Sequence, residues 1–167
     1  MELLDKYALP YNLARQEIEK VLAHRGPETI LVDEVEIHYQ SAMGIGRKFL
    51  TGKEIFFNGH FNNFPLMPSA TMMEGLFQVA EILIHSVVPG NILAGRIPVL
   101  TKIHEANFWK KIKPGTLVEY ETTLIKINSQ YADMEGRVYY KEGKLAASMK
   151  FSGKLVAVPL ATNLVAG

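Results

Sequence analysis

The stretch NGHFNNFPLMPSATMMEGLFQVAEILIH, residues 58–85, decides how this chain folds. It opens as a loop carrying His60, crosses Pro65 and Pro68, and then becomes a helix. From Ser69 onward Ala70, Met72, Met73, Leu76, Phe77, Val79, Ala80, Ile82, Leu83 and Ile84 are apolar. A helix apolar on nearly every side has to be covered on nearly every side, so this one belongs in a core. It is too short and too interrupted to span a bilayer. Its polar residues are Thr71, Glu74, Gln78, Glu81 and His85; from Glu74 on they are spaced four, three and four apart, which places them on one face. A carboxylate near the first turn of a core helix is costly unless it is paired or neutralised. The stretch therefore reads as a functional site as well as a core, with Glu81 and His85 read as the solvated end of the helix.

Working outward towards the N-terminus, Lys53 to Phe57 leads into the His60 loop. Ala42 to Leu50 reads as a strand, with Gly44 and Gly46 marking a bend or a close backbone approach. Thr29 to Ile37 is rich in β-branched residues and reads as another strand. His24-Arg25-Gly26-Pro27 breaks a short amphipathic helix over residues 11–23, whose apolar face is Leu13, Ile18, Val21 and Leu22. Towards the C-terminus, Val88-Pro89-Gly90-Asn91 is turn chemistry. Strands follow over Val99–Trp109, Leu117–Ile127, Tyr131–Tyr140 and Leu145–Leu155, joined by turns at Lys113-Pro114-Gly115, Asn128-Ser129 and Glu142-Gly143. Long antiparallel strands around one apolar helix give an α+β domain whose sheet wraps that helix.

The composition narrows the function classes. A chain of 167 residues suits one domain with a sizeable core. Its net charge of +1 provides no global field for nucleic acid or an anionic membrane. The absence of cysteine excludes disulfides, thiolate metal sites and cysteine nucleophiles, and fits a reducing compartment. The start of the chain lacks a basic stretch followed by an apolar run, so no signal peptide is read and a cytoplasmic location is expected.

Three segments carry a resemblance: LAHRGPETILVDEV (22–35), FFNGHFNNFPLMPSATMMEGLFQ (56–78) and VLTKIHEANFWKKIKPG (99–115). Together they resemble the β-hydroxyacyl-(acyl carrier protein) dehydratases, which have the hot-dog fold. The middle segment is the most specific. It has a Gly-His-Phe loop, a Pro-Leu-Met-Pro step, and Glu followed four residues later by Gln, with the family's interval of 14 residues from His60 to Glu74. The resemblance implies a single hot-dog domain over 21–158, preceded by an arm and helix start over 1–20 and followed by a tail over 159–167. It implies a homodimer whose sheets join edge to edge, possible assembly into a trimer of dimers, and a site where His60 of one subunit meets Glu74 of the other. The implied substrate is a 3-hydroxyacyl thioester on acyl carrier protein, in fatty acid or in polyketide or aryl-polyene-type synthesis.

Dehydration of such a thioester needs a base, a stabiliser for enolate-like charge, and an acid for the departing hydroxyl. Neutral histidine suits the first task, which His60 would fill. Free N–H groups at a helix start suit the second, and Ser69 and Ala70 stand there. Glu74 suits the third if burial keeps it protonated, with Gln78 one turn on to hold its rotamer. The chemistry calls for no cofactor or metal. Ser69 also fits the simpler role of helix cap. His24, His38 and His104 have no evident partner and read as structural or exposed, and Met72-Met73 as core or acyl-tunnel wall. Trp109-Lys110-Lys111-Ile112-Lys113 together with Arg47-Lys48 would form a basic patch for an acidic carrier protein, or else a solvated turn.

The chain departs from the family at Asn62, where proline is usual, at Ser69, where glycine is usual, and at Glu81, where a small residue is usual. These changes leave the acid–base pair in place and bear on which acyl group fits. Two other functions compete: a hot-dog acyl thioesterase, and a non-catalytic hot-dog subunit that binds acyl carrier protein.

Overall fold

The long apolar run becomes helix α2, Ser69–Val87, and the rest of the chain is built around it. The computed structural model describes residues 10–93, 95–141 and 143–157. Before α2 come β1 (Tyr11–Ala14), α1 (Arg15–Val21), β2 (Glu34–His38) and β3 (Met43–Leu50). After it come the short α3 (Gly90–Leu93) and four long strands: β4 (Arg96–Phe108), β5 (Thr116–Ile127), β6 (Tyr131–Tyr140) and β7 (Lys144–Ala157). The strands form one antiparallel sheet in the order β1-β2-β3-β5-β6-β7-β4. The expected α+β architecture, a hot-dog sheet around a buried helix, is the one observed. No helix among the described residues is long and apolar enough to cross a membrane.

The sheet covers α2 because alternate residues of its strands face inward. Val118, Tyr120 and Thr122 of β5 and Ala132, Met134 and Val138 of β6 are buried. All but Thr122 join Met72, Leu76, Val79, Ala80, Leu83 and Ile84 of the helix in one hydrophobic core. Close approach is secured by small residues. A Cβ at Gly46 would lie 2.4 Å from a Val79 methyl and 2.8 Å from a Val32 methyl, so β3 can lie on α2 only with glycine there. On the helix itself, a Cβ at Gly75 would lie 2.3 Å from the ring of Tyr120. That ring is wholly buried.

Three sequence expectations change in detail. The helix expected over 11–23 is confined to Arg15–Val21; Tyr11–Ala14 instead pairs antiparallel with β2, and Ile18 and Leu22 reach the core. The strand expected from Thr29 starts only at Glu34, after a single 3₁₀ turn at Pro27–Thr29. The Leu31 N–H that a neighbouring strand would take is given to the side chain of Gln78. Turn chemistry at Pro89 and Gly90 opens into α3. The arm over 1–9, the tail beyond 157 and Glu142 of the last hairpin turn lie outside the described residues.

One edge of the sheet is β4. It is paired on one side by β7 and exposed along nearly its whole length, with Val99, Leu100, Ile103 and Phe108 all presenting apolar surface. A long, apolar, unpaired edge is a surface that proteins normally cover.

Adding one methyl group at the tightest crossing tests this packing. Gly75→Ala should lower the stability of the fold by about 2 kcal/mol, the usual scale for overpacking a core. The denaturant midpoint compared with the unaltered chain measures it, and an unchanged midpoint would mean that α2 and β5 are not in this contact.

Candidate active site

The His60 loop is held by its backbone. Leu66 N–H donates to the His60 carbonyl (2.8 Å), and Met67 N–H donates to the Ile112 carbonyl (2.9 Å). The His60 ring stacks on Phe61 with centroids 4.4 Å apart, and its Nδ1 lies 2.9 Å from the Leu66 carbonyl. A carbonyl oxygen can only accept, so Nδ1 carries the proton of that bond. In a neutral ring Nε2 is then bare, the form a base requires.

Helix α2 begins immediately after Pro68, which occupies the cap position. Ser69 is thus the first helical residue and not the cap. The first N–H groups paired back to Pro68 belong to Thr71 and Met72. Those of Ser69 and Ala70 find no partner among the described residues, and both residues are exposed at the surface of the chain. Two N–H donors and the positive end of a long helix therefore face outward at this point.

One turn further in, Glu74 sits in a cleft of ≈ 470 Å³ lined by His24, Arg25, Phe77 and the first half of β4, Ile97 to Leu100. Its side chain is 37% exposed and ion-paired with Arg25 Nη1. Within one chain Glu74 is therefore not in the dry apolar setting expected of it. Gln78 Nε2 donates to Glu74 Oε1 (2.9 Å) and to the Thr29 carbonyl (2.9 Å), while Gln78 Oε1 accepts from Leu31 N–H (2.7 Å). The amide thus ties the carboxylate to the segment that follows α1. Among the described residues no hydrogen bond or ion pair joins His60 to Glu74.

The polar stripe does not end in solvent. Glu81 is only 2% exposed. Its Oε2 accepts from Arg25 Nη2 (3.3 Å), and its Oε1 lies 3.3 Å from His24 Nε2. Burial, opposed by Arg25, pushes the Glu81 carboxyl up from 4.5 to about 7. His85, half-buried, is held below the usual imidazole range, first by burial and then by the charge of His24. His24 is held low by burial and by Arg25. The solvated helix end expected at Glu81 and His85 is thus replaced by a buried ionic group, because the segment after α1 folds back over this face of α2. Polarity and spacing look the same in a sequence whether a stripe meets water or a guanidinium. The partners of Glu81 are legible in the sequence only as part of the 22–35 segment, where His24 and Arg25 stand side by side.

The remaining histidines also have partners. His38 Nε2 lies 2.9 Å from Glu36 Oε1. On the outer face of the sheet, His104 Nε2 and Ser152 Oγ are 2.6 Å apart, and Ser152 Oγ donates to Asp133 Oδ1 (2.6 Å). The three residue types match a hydrolytic triad but the order does not. Ser152 gives its proton to the carboxylate, so His104 must donate to the serine and cannot act as its base. Among the described residues no group of three or more ligating side chains stands together as a metal site. In the expected basic patch, Lys111 and Lys113 stand over the Phe64 ring of the His60 loop, 5.9 and 4.4 Å from its centroid. Arg47 and Lys48 do not extend it: Arg47 is paired with Glu34, Glu36 and Glu119, and Lys48 with Asp33.

Comparison with known proteins agrees with the resemblance. The family model described as the FabA-like domain matches residues 27–150. The 3-hydroxyacyl-(acyl-carrier-protein) dehydratase FabZ of Fusobacterium nucleatum is 31% identical over 137 residues, covering 81% of this chain and 93% of its own. The FabZ of Clostridium botulinum is 35% identical over 131 residues, covering 78% and 88%. Among solved structures, the dehydratase heterocomplex ApeI:P from Xenorhabdus doucetiae superposes with a TM-score of 0.52 at 18% identity, covering 69% of this chain and 88% of that one. A hypothetical thioesterase of Streptococcus pneumoniae with coenzyme A gives 0.54 at 11% identity, covering 70% and 80%. The last two are alike in fold.

The buried carboxyl group has a thermodynamic signature. A Glu81 raised to about 7 in the folded chain, from 4.5 when unfolded, destabilises the fold once it ionises. Its contribution is absent below the unfolded value, grows as pH rises between the two, and is complete above about 7. That interval corresponds to about 3 kcal/mol, at about 1.4 kcal/mol per pH unit. Glu81→Gln should therefore gain stability relative to the unaltered chain as pH goes from 5 to 8, by up to roughly that amount. Urea unfolding of both proteins at the two pH values checks it; parallel pH dependence would contradict the burial of this carboxyl group.

Proposed function

The chain belongs to the FabA-like domain family, and on that premise we propose that it dehydrates 3-hydroxyacyl thioesters carried on acyl carrier protein to trans-2-enoyl thioesters. His60 Nε2 takes the proton from the carbon next to the thioester carbonyl. The electron pair of that C–H bond becomes the new C=C bond, through an enolate-like state whose oxygen is met by the N–H groups of Ser69 and Ala70. Glu74, protonated, gives its proton to the 3-hydroxyl as the C–O bond breaks, and water leaves. His60 ends with one proton more and Glu74 with one fewer, and exchange with solvent restores both. The observation that carries this reading is the bond from Nδ1 to the Leu66 carbonyl, which leaves Nε2 of a neutral His60 free as a base.

The acid comes from a second copy of the chain in this reading. Within one chain the two groups do not touch, while Glu74 opens into a cleft walled by Ile97 to Leu100 of the bare edge strand. Pairing two copies along β4 would cover that edge, close the cleft, and supply the dry setting a neutral carboxylic acid needs. The carrier protein would approach over Lys111 and Lys113, which flank the His60 loop, while ion pairs occupy Arg47 and Lys48.

His60→Ala and Glu74→Gln should each lower turnover of a 3-hydroxyacyl thioester by a factor on the order of a hundred or more while the fold is kept. Enoyl formation followed in the ultraviolet measures this, and release of free thiol without enoyl product would mark a thioesterase instead. Mixing the two inactive variants, with subunit exchange verified, should restore part of the activity, because mixed dimers hold one intact site. No recovery would place both groups in the same subunit.

A further inference from the structure

We propose that Glu81 is a positioning residue for Glu74, acting through the guanidinium that the two carboxylates share, and that it widens the alkaline range over which Glu74 can serve as the acid. This rests on the dehydratase reading above. The geometry is a chain of three groups. Arg25 sends one terminal nitrogen to Glu74 and the other to Glu81, two helical turns further along α2. Gln78, between them, bonds to the Thr29 carbonyl and the Leu31 N–H, which ties the segment just after Arg25 to the helix.

Among the described residues the other charged or titratable groups around Glu81 are few. His24 faces its Oε1 from the segment after α1, and Glu74 and His85 flank it on its own helix. From the sheet and from β4, the space beside it is walled by Pro98, Leu100, Met134 and Phe151, none of which titrates. Arg25 is thus the permanent cation of this group, and it has two anionic claimants.

An acid must hold its proton until the hydroxyl leaves. A guanidinium with Glu74 as its sole anion would favour the carboxylate and shed that proton early. An ionised Glu81 on the same guanidinium offsets part of its positive charge, and its own negative field favours the protonated form of Glu74. Glu74 then keeps its proton to a higher pH. When Glu81 is itself protonated, at lower pH, the offset is gone but is not needed, because solvent protons are abundant there. The residue that stands where the family usually has a small one would therefore shift one limb of the pH profile without touching substrate.

Glu81→Gln keeps the size and the acceptor oxygen but removes the charge. In this variant the alkaline limb of the kcat profile should move to lower pH by roughly one unit, with turnover at pH 6 within about twofold of the unaltered enzyme. The titration of the Glu74 side-chain carbon, followed by ¹³C NMR, should move the same way. Arg25→Gln removes the shared cation and should move that titration to higher pH, which keeps the idea testable should the Glu81→Gln variant fail to fold. Profiles and titrations that superpose on the unaltered enzyme would overturn the proposal. Absence of dehydratase activity in the unaltered protein would instead overturn the functional reading, and the NMR titrations would still decide whether Glu81 governs Glu74.

Discussion

A single guanidinium shared by two carboxylates on a covered helix is the interaction on which the site depends. Glu81 at 2% exposure could not stay in the fold as an anion without a partner. The partner comes from outside the helix, in the segment after α1. That segment must therefore be brought back across α2 and held there. The fold does so with Ile18 and Leu22 of the α1 region in the core, β1 paired to β2, and the amide of Gln78 bonded to backbone on both sides of Ile30. The residues before β2 thus act as the lid of a buried charge, and their helix and strand are means of holding Arg25 in place.

The two candidate proton-transfer groups are held by different devices. His60 is fixed through backbone: its own carbonyl, the Leu66 carbonyl and the neighbouring Met67–Ile112 bond leave its ring one tautomer and one open nitrogen. Glu74 is fixed through side chains that are themselves anchored, Arg25 by Glu81 and Gln78 by Thr29 and Leu31. Backbone anchoring sets orientation and leaves charge alone. Side-chain anchoring sets orientation and charge together, so a substitution as far along the helix as Glu81 alters the charge around Glu74.

Much of this is legible in the sequence because the signals are local. The apolar run from Ser69 and Pro68 before it act within a few residues, and the glycines of β3 mark by residue type alone a close approach that the fold makes to Val79 of α2. The strand at Glu34 begins later than its composition suggests, because Thr29, Ile30 and Val32 register propensity but not the Gln78 side chain that takes the backbone bonds of Thr29 and Leu31. Glu81 escapes a sequence reading for a related reason. Whether a polar face meets water depends on residues 49 and 56 positions away in the Arg25 pairs, a separation that periodicity does not report. Only the shared motif containing His24 and Arg25 carries that information, and it does so without assigning either residue a role.

The position of Glu81 also shapes the space under β4. The same carboxyl borders a small cavity of ≈ 30 Å³ whose other walls are apolar, among them Phe77, Leu100, Met134 and Phe151. Phe77, Pro98 and Leu100 are shared with the larger cleft at Glu74, so the two spaces are neighbours. A space of that size admits only water-sized groups. A smaller residue at position 81 would leave this space larger and uncharged. The carboxyl that pairs with Arg25 is therefore also part of the wall of this space. A substitution that changes size as well as charge alters the electrostatics around Glu74 and the room beneath β4 together, whereas the isosteric change to glutamine separates the two.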